Sequence, residues 1–259
     1  MSAEADAGGA TAPDSPTEFI VEAGTLNTFL DTVGALVDEC IINFEEDGLA
    51  VQAVDPGNVA MVSTTLDAES MESYQADGGR LGIDIGRVQD ITALGNAGDL
   101  LNLSLDPETR KLVVSGDGFE YDYATIDPDT IRSEPDIPDT PVTTEFVIDA
   151  DDLDTVVSGG DMVSDHVTFA PDPEEPTVYV EAEGDTDDLR FDFGEDDLGK
   201  IEELAEDEAM FSLDYLERVA KPMTGPVQVR TSGEFPIKFD FEAPHGSVLF
   251  MIAPRISER

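Results

Sequence analysis

An internal duplication is the feature that most constrains how this sequence can fold. Residues 19–23 read Phe-Ile-Val-Glu-Ala, and residues 146–150 read Phe-Val-Ile-Asp-Ala. The same offset of 127 residues relates Leu26 to Leu153. This period is the size of a small domain and far longer than the period of a solenoid repeat. The sequence therefore predicts two copies of one fold in tandem.

The predicted boundaries follow from the constant offset and, for the connector and leader, from composition. The two copies are assigned to residues 17–126 and 143–256. Residues 127–142 are rich in Pro and Asp and are interpreted as an extended surface connector, because proline cannot continue a strand ladder. Residues 1–16 offer little to bury and predict a disordered acidic leader, and residues 257–259 form a short tail.

The hydrophobic pattern predicts an α+β fold in each copy. Apolar residues recur at helical spacing in four segments, which predicts helices at 25–37, 86–94, 151–157 and 214–220, the first capped by its Thr at position 25. Alternating apolar runs between them predict antiparallel strands, so each copy has antiparallel sheets and two helices. The acidic segment 194–207 is interpreted as a solvated loop or a turn of helix.

The charge of the chain is extreme. Its 13 basic and 59 acidic residues give a formal net charge of −46. Self-repulsion of this size destabilises a compact state at low ionic strength, whereas at about 1 M salt the Debye length falls to about 3 Å. The acidic residues are spread through periodic apolar segments, which argues against a disordered chain. We expect a folded protein from a salt-rich cytoplasm that needs high KCl or hydrated cations and has no cofactor.

Membrane and redox signals are absent from the sequence. It contains no apolar stretch of about 18 residues and no basic-then-apolar signal pattern, so we expect no membrane partner and an intracellular, cytoplasmic location. Its one cysteine, Cys40, precedes two isoleucines and is interpreted as a buried structural thiol.

Catalytic motifs are also missing. His166 opens a predicted strand, His245 lies in a predicted turn, and neither belongs to a metal-spaced cluster. There is no phosphate-binding loop and no nucleophile elbow. Acidic pairs such as Asp196 and Asp197 arise by chance at this composition. We expect no catalytic residue and no metal site, with a carboxylate- and Mg²⁺-dependent hydrolase as a remote alternative.

Several stretches resemble the sliding clamps of the proliferating cell nuclear antigen family. The resemblance runs from Phe19 to Ile256, and its most specific element is the ending Ile-Ala-Pro-Arg-Ile at 252–256. The stretches that carry it are residues 48–55, 58–61, 213–216, 235–242 and 248–256, together with Lys221. The resemblance implies a homotrimeric, closed ring of six domains around duplex DNA, with helices lining the hole.

The resemblance also implies a function. Such a ring is a processivity factor that tethers DNA polymerase, flap endonuclease, ligase and the clamp loader during replication and repair, and it is not an enzyme. An acidic protein-interaction scaffold that does not bind DNA remains an alternative at this point.

The implied DNA contact is weak. The family lines its hole with lysines, but the first helix of each copy has none, and Asp90 stands where a family lysine is expected. The DNA-facing positions that remain are Arg80, Arg87, Arg218 and Lys221. Affinity for phosphates comes from counterion release by Lys and Arg, so retention on DNA must rest on the closed ring.

Two further surfaces follow from the resemblance. A pocket for short partner peptides is expected at Val54, Val59, Met61, Ile137, Pro138, Pro236, Met251, Ala253 and Pro254. The apolar pair Ile137 and Pro138 supports it, since it has no core of its own in a polar connector. The trimer edges are expected to be Phe119, Tyr121 and Tyr123 of one chain, antiparallel to Leu189, Phe191 and Phe193 of the next.

Overall fold

The computed structural model describes residues 17–106, 109–133, 136–172, 174, 177–205 and 207–255. The predicted leader at 1–16 and tail at 257–259 lie outside the described residues, as does Ile256. The first half of the chain contains β1 (Thr17–Glu22), α1 (Ala23–Gly34), β2 (Glu39–Glu45), β3 (Gly48–Val54), β4 (Ala60–Asp67), β5 (Ser73–Gln75), β6 (Arg80–Asp84), α2 (Ile85–Thr92), β7 (Leu100–Asp106), β8 (Lys111–Gly116) and β9 (Phe119–Ala124).

The second half follows the same order of elements. It contains β10 (Thr144–Asp149), α3 (Ala150–Asp161), β11 (His166–Asp172), β12 (Thr177–Glu183), β13 (Asp188–Phe193), β14 (Lys200–Glu203), β15 (Ala209–Ser212), α4 (Leu213–Ala220), β16 (Pro226–Thr231), β17 (Ile237–Ala243) and β18 (Gly246–Ile252). The elements β1, α1 and β2 match β10, α3 and β11 at the 127-residue offset read from the sequence. Phe19 and Phe146 are both the third residue of their strands.

Strand pairing repeats as well. β1 pairs antiparallel with β5 and β7, and β10 pairs antiparallel with β14 and β16. The hairpins β8–β9 and β17–β18 correspond in the same way. The predicted α+β class with antiparallel sheets is confirmed, while the exact copy boundaries stay a prediction.

The first compact unit comprises the described parts of residues 17–30, 38–51 and 65–133. One of its sheets has the strand order β5-β1-β7-β8-β9, and β2 pairs with both β3 and β6. Val21, Leu101 and Val114 are fully buried in its core. Gly48 has a φ of 142°, and a side chain there would meet the Leu66 carbonyl oxygen, so the turn into β3 requires glycine.

The second compact unit comprises the described parts of residues 31–37, 52–64 and 134–255. Its strands β14-β10-β16-β17-β18 form a sheet in that order, and residues 60–64 of β4 pair antiparallel with β18. A four-stranded sheet has the order β13-β12-β11-β15. The strand register places Phe146, Phe239 and Phe250 on one face of this sheet, and all three are buried.

Four sequence predictions are corrected by the structure. The segment 194–207 is predicted to be a loop but contains β14, because β10 offers a second hydrogen-bonding edge that a short polar strand can fill. Helix α1 begins at Ala23, so Thr25 lies inside the helix and cannot be its cap, and α3 continues to Asp161. The connector is not extended throughout: a short 3-10 helix spans Pro128–Thr130, and Asp127 caps it.

Candidate partner-docking and DNA-facing sites

The centre of the predicted peptide pocket is a row of side chains across one sheet. Met61 pairs with Met251, and Met251 pairs with Lys238 on the next strand, so the three side chains share one face. They are 8%, 2% and 7% exposed, respectively. The Lys238 ammonium donates a hydrogen bond of 3.4 Å to the carbonyl oxygen of Pro138. The connector therefore lies over this row of the sheet.

The loop between β3 and β4 carries Val59, another residue of the predicted pocket. Asp55 is 2% exposed, and its carboxylate accepts the N–H groups of Gly57, Val59 and Ala60 at 2.7, 2.6 and 2.8 Å. The hydroxyl of Tyr215, from α4, donates to the same carboxylate at 2.8 Å. Burial alone raises the pKa of Asp55, but these hydrogen bonds stabilise the charged form and hold the pKa below its ordinary value.

Direct contacts join only some of the predicted pocket residues. Val59 accepts the N–H of Ala253 through its carbonyl oxygen at 2.8 Å, which joins the loop to the C-terminal segment. Ile137 is 39% exposed beside Pro138. Val54, Pro236 and Pro254 are half-buried, and their membership stays a prediction.

Sequence reasoning missed three residues around the predicted pocket. They are Asp55, Tyr215 and Lys238. The run Asp-Pro-Gly at 55–57 is typical of an Asx-turn and could have identified the first. The other two owe their places to tertiary contacts.

The four predicted DNA-facing residues are engaged with protein groups. Arg218 donates from Nε to the Ala35 carbonyl oxygen at 2.7 Å and from Nη2 to that of Leu36 at 3.1 Å, just past the end of α1. Lys221 is exposed and lies 3.1 Å from the Glu217 carboxylate. Their role at DNA stays a prediction.

Arg80 and Arg87 belong to the first compact unit. Arg80 lies 3.4 Å from Asp129, an interaction with an exposed acid that contributes little to stability. The Arg87 guanidinium lies over the ring of Tyr123, 5.7 Å from its centroid, and Arg87 remains exposed. The DNA-facing role of these two residues also stays a prediction.

The predicted trimer strands are edge strands of their sheets. β9 ends the five-stranded sheet, and β13 ends the four-stranded sheet. Tyr121 is 37% exposed and Phe119 is half-buried, whereas Tyr123 is buried and its hydroxyl accepts the N–H of Asp84 at 2.9 Å. Each edge strand therefore presents backbone N–H and C=O groups that another strand could pair with, and β9 also presents the side chain of Tyr121.

An apolar groove lies beside β13. It has a volume of about 520 Å³ and is lined by α3 and β13, including Met162, Val163, Leu189 and Phe191. Met162 is 85% exposed, while Phe193, the last residue of the predicted edge, is buried. The groove thus widens the apolar surface along this edge.

Other site chemistry is sparse in the described part of the chain. No group of three or more His, Cys, Asp or Glu side chains there is arranged to hold a metal ion. Cys40 is buried, as predicted, and so is His245, which lies 3.2 Å from the Thr32 hydroxyl. Among the described helices, none combines the length and apolar character needed to cross a membrane.

The doubled α+β fold, with β9 and β13 each at the edge of a sheet, is shared with solved structures of sliding clamps. A solved complex described as the C-terminal region of FEN-1 bound to A. fulgidus PCNA superposes with a TM-score of 0.86 at 33% identity, covering 94% of this chain and 100% of that one. The PCNA of Thermococcus kodakaraensis shares the fold, with a TM-score of 0.82 over 92% of this chain and 100% of that one, at 24% identity.

Sequence comparison identifies the family. Residues 18–120 match the profile of the proliferating cell nuclear antigen N-terminal domain. The DNA polymerase sliding clamp of Haloarcula marismortui is 47% identical over 92% of this chain and 97% of its own length, and that of Natronomonas pharaonis is 46% identical over the same shares. The chain belongs to the proliferating cell nuclear antigen family of sliding clamps. The resemblance read from the sequence is confirmed.

Proposed function

We propose that this chain is a DNA polymerase sliding clamp, a non-enzymatic processivity factor of replication and repair. The observation that carries the proposal is similarity along 241 residues to halophilic archaeal proteins of that name. The clamp tethers polymerase, flap endonuclease, ligase and the clamp loader through short peptides. The FEN-1 segment bound to a 33% identical relative supports this mode of tethering.

The proposed assembly is a homotrimeric ring. Residues 60–64 of β4, from the first repeat, pair with β18, from the second. The equivalents of β18 and β4 in the other repeats are β9 and β13, and both are edge strands. Pairing β9 of one chain with β13 of the next would repeat the same junction, and a head-to-tail contact of this kind closes into a ring when the rotation allows. Three chains supply six repeats.

The apolar groove supports this junction. It lies directly beside β13, and its exposed Met162 offers area that a neighbouring chain would cover. Glu120 and Asp122 on β9 would approach Asp188 and Asp192 on β13, so we expect the junction to need salt.

The proposed partner seat is the surface around Met61, Met251 and the connector. Ile137 is exposed in the connector next to Pro138, whose carbonyl oxygen accepts a hydrogen bond from Lys238 of this sheet row, and an exposed apolar side chain here suits an anchor of a docking peptide. We place the polymerase, nuclease, ligase and clamp-loader peptides here.

Direct DNA contact is proposed to be weak and assisted by cations. The net charge of −46 repels phosphates, and the few basic residues lose affinity as salt rises. High KCl in a salt-rich cytoplasm would screen that repulsion, while ring closure would keep the clamp on the duplex.

A processivity assay tests the proposal. The assay uses primed circular DNA at high KCl with the cognate polymerase and clamp loader, and we expect the clamp to lengthen the products. Leu189→Arg, which places a charge on the β13 edge, is the matched ring-blocking control and should abolish the lengthening. Unchanged product length with the parent chain, together with normal peptide binding, would instead favour an acidic scaffold that works without DNA.

A further inference from the structure

A cluster of hydrogen bonds that the family role does not explain surrounds Asp55. A buried carboxylate is costly unless its oxygens are hydrogen-bonded. Here three backbone N–H groups and one tyrosine hydroxyl donate to it, all at 2.8 Å or less. Bonds of this charge-assisted kind are stronger and more directional than neutral ones. The cluster therefore fixes the backbone of residues 55–60.

The same loop contains strained and crowded backbone. Asn58 has a φ of 57°, in the left-handed region that residues other than glycine rarely adopt. A side chain at Gly57 would lie 2.9 Å from the Asp55 carboxylate and 3.1 Å from the Tyr215 hydroxyl, so the loop is closed tightly around the acid. Strain of this sort persists only where surrounding contacts hold it in place.

The fixed loop reaches the proposed peptide pocket on two sides. Asp55 binds the N–H of Val59, and the carbonyl oxygen of Val59 accepts the N–H of Ala253. Asp55 also accepts the N–H of Ala60, which is the first residue of β4. Met61 is the second residue of that strand. One carboxylate thus sets the positions of the β4 wall and of the C-terminal wall.

We propose that Asp55 is a positioning residue of the partner-peptide pocket. Tyr215 of α4 holds the Asp55 carboxylate in place through its hydrogen bond. Asp55 acts through Val59 and Ala253 and does not itself touch the peptide. This inference rests on the proposed function, because it concerns the same pocket.

The test compares three variants of the full-length chain. Asp55→Asn keeps the shape of the side chain but turns one acceptor into a donor that faces backbone N–H groups. Tyr215→Phe removes one of the four donors. Thr64→Val is the matched control, because it deletes a hydrogen bond of 3.0 Å to the Ser247 carbonyl oxygen in the same sheet, away from the loop. The probe is a synthetic peptide with the pattern Gln-x-x-hydrophobic-x-x-aromatic-aromatic, titrated by calorimetry at high KCl.

We expect Asp55→Asn to lower the affinity for the peptide about tenfold or more and Tyr215→Phe to lower it about threefold. These changes are in line with the loss of one or more charge-assisted hydrogen bonds. Thr64→Val should lower the melting temperature and leave the affinity unchanged. A second peptide, with its hydrophobic residue replaced by Ala, separates a positioning role from a general loss of stability. Asp55→Asn should lower the affinity for this second peptide much less than for the first. That difference is the coupling which a double-mutant cycle measures.

Each other result counts against the inference. Equal loss of affinity in Thr64→Val, or equal loss for both peptides, would mean that Asp55 only stabilises the fold. If Asp55→Asn does not fold, Tyr215→Phe decides, and unchanged affinity in that variant overturns the inference. If the parent chain supports processivity but binds no peptide, the pocket assignment and this inference are both wrong and the ring function stands. Failure of both assays would overturn the proposed function itself.

Discussion

Replacing Asp90 with Arg should make the proposed trimer less dependent on salt. Helices α2 and α4 both have eight residues, and their sixth residues are Asp90 and Arg218. Arg218 binds the carbonyl oxygens just past the end of α1. In the proposed ring, α2 of one chain meets the end of α3 of the next in the same way. The Asp90 carboxylate would then face the carbonyl oxygens of Met162 and Val163. At the junction within one chain, the Arg218 guanidinium occupies the equivalent position.

The size of the effect follows from the Arg218 contacts. A hydrogen bond from a charged donor contributes about 1.5 to 3 kcal/mol, and we count the two bonds of this half-exposed arginine as one. Removing an anion from a helix C-terminus contributes about 0.3 to 1 kcal/mol more. Each junction should therefore gain about 2 to 4 kcal/mol, and each 1.4 kcal/mol is about a tenfold change in an association constant.

Light scattering across a KCl series measures the outcome. The Asp90→Arg trimer should persist at lower KCl than the parent trimer. The control is Asp77→Arg, which makes the same change in net charge in the loop after β5, at the opposite edge of its sheet from β9. Equal stabilisation by both variants would show that only total charge matters, and a weaker Asp90→Arg trimer would refute the equivalence of the two junctions.

Three further predictions concern the pocket, the proposed DNA-facing surface and alkaline stability. Replacing Ile137 and Met251 with Ala should weaken the docking peptide by about 1 to 2 kcal/mol each in calorimetry, with the trimer intact by light scattering. Lys221→Ala should slow loading on DNA and leave peptide affinity unchanged, whereas Arg218→Ala should also lower the melting temperature, because it removes two hydrogen bonds. Burial raises the pKa of Tyr74 to about 12 from its ordinary 10.0, so its contribution to stability is complete below pH 10 and is lost as the pH rises to about 12. Tyr74→Phe should flatten that loss in denaturant unfolding, and a steeper loss would contradict the assignment.

The fold could be predicted where the signal was local. The periodic segments gave the four helices and most strands because apolar spacing reports which face is buried. Strands β5 and β14 were missed, since the short polar run at 73–75 becomes a strand only when β1 leaves an edge for it to pair with. The start of α1 was misplaced because Thr25 resembles a cap, whereas the helix already begins at Ala23.

The site was less accessible to sequence reasoning because its contacts are long-range. Tyr215 and Asp55 are 160 residues apart, and Arg218 is 183 residues from Ala35. Lys238 is buried under the connector, although a lysine in an amphipathic strand is ordinarily exposed. Resemblance to a family could suggest which strands line a pocket, but only the tertiary structure assigns these polar partners.

High salt should favour both trimer assembly and the approach of the clamp to DNA. In the proposed assembly, charge repulsion would oppose the approach of β9 to β13, and it would also oppose the approach of the chain to phosphates. The attraction that salt would weaken is small, since Arg218 is bound to α1 and Lys221 is beside Glu217. In the proposed ring, closure rather than affinity would then determine retention on DNA. We therefore expect processivity to rise with KCl over the same range in which the trimer forms, and a processivity that falls while the trimer strengthens would show that direct phosphate contact, and not ring closure, holds the clamp on DNA.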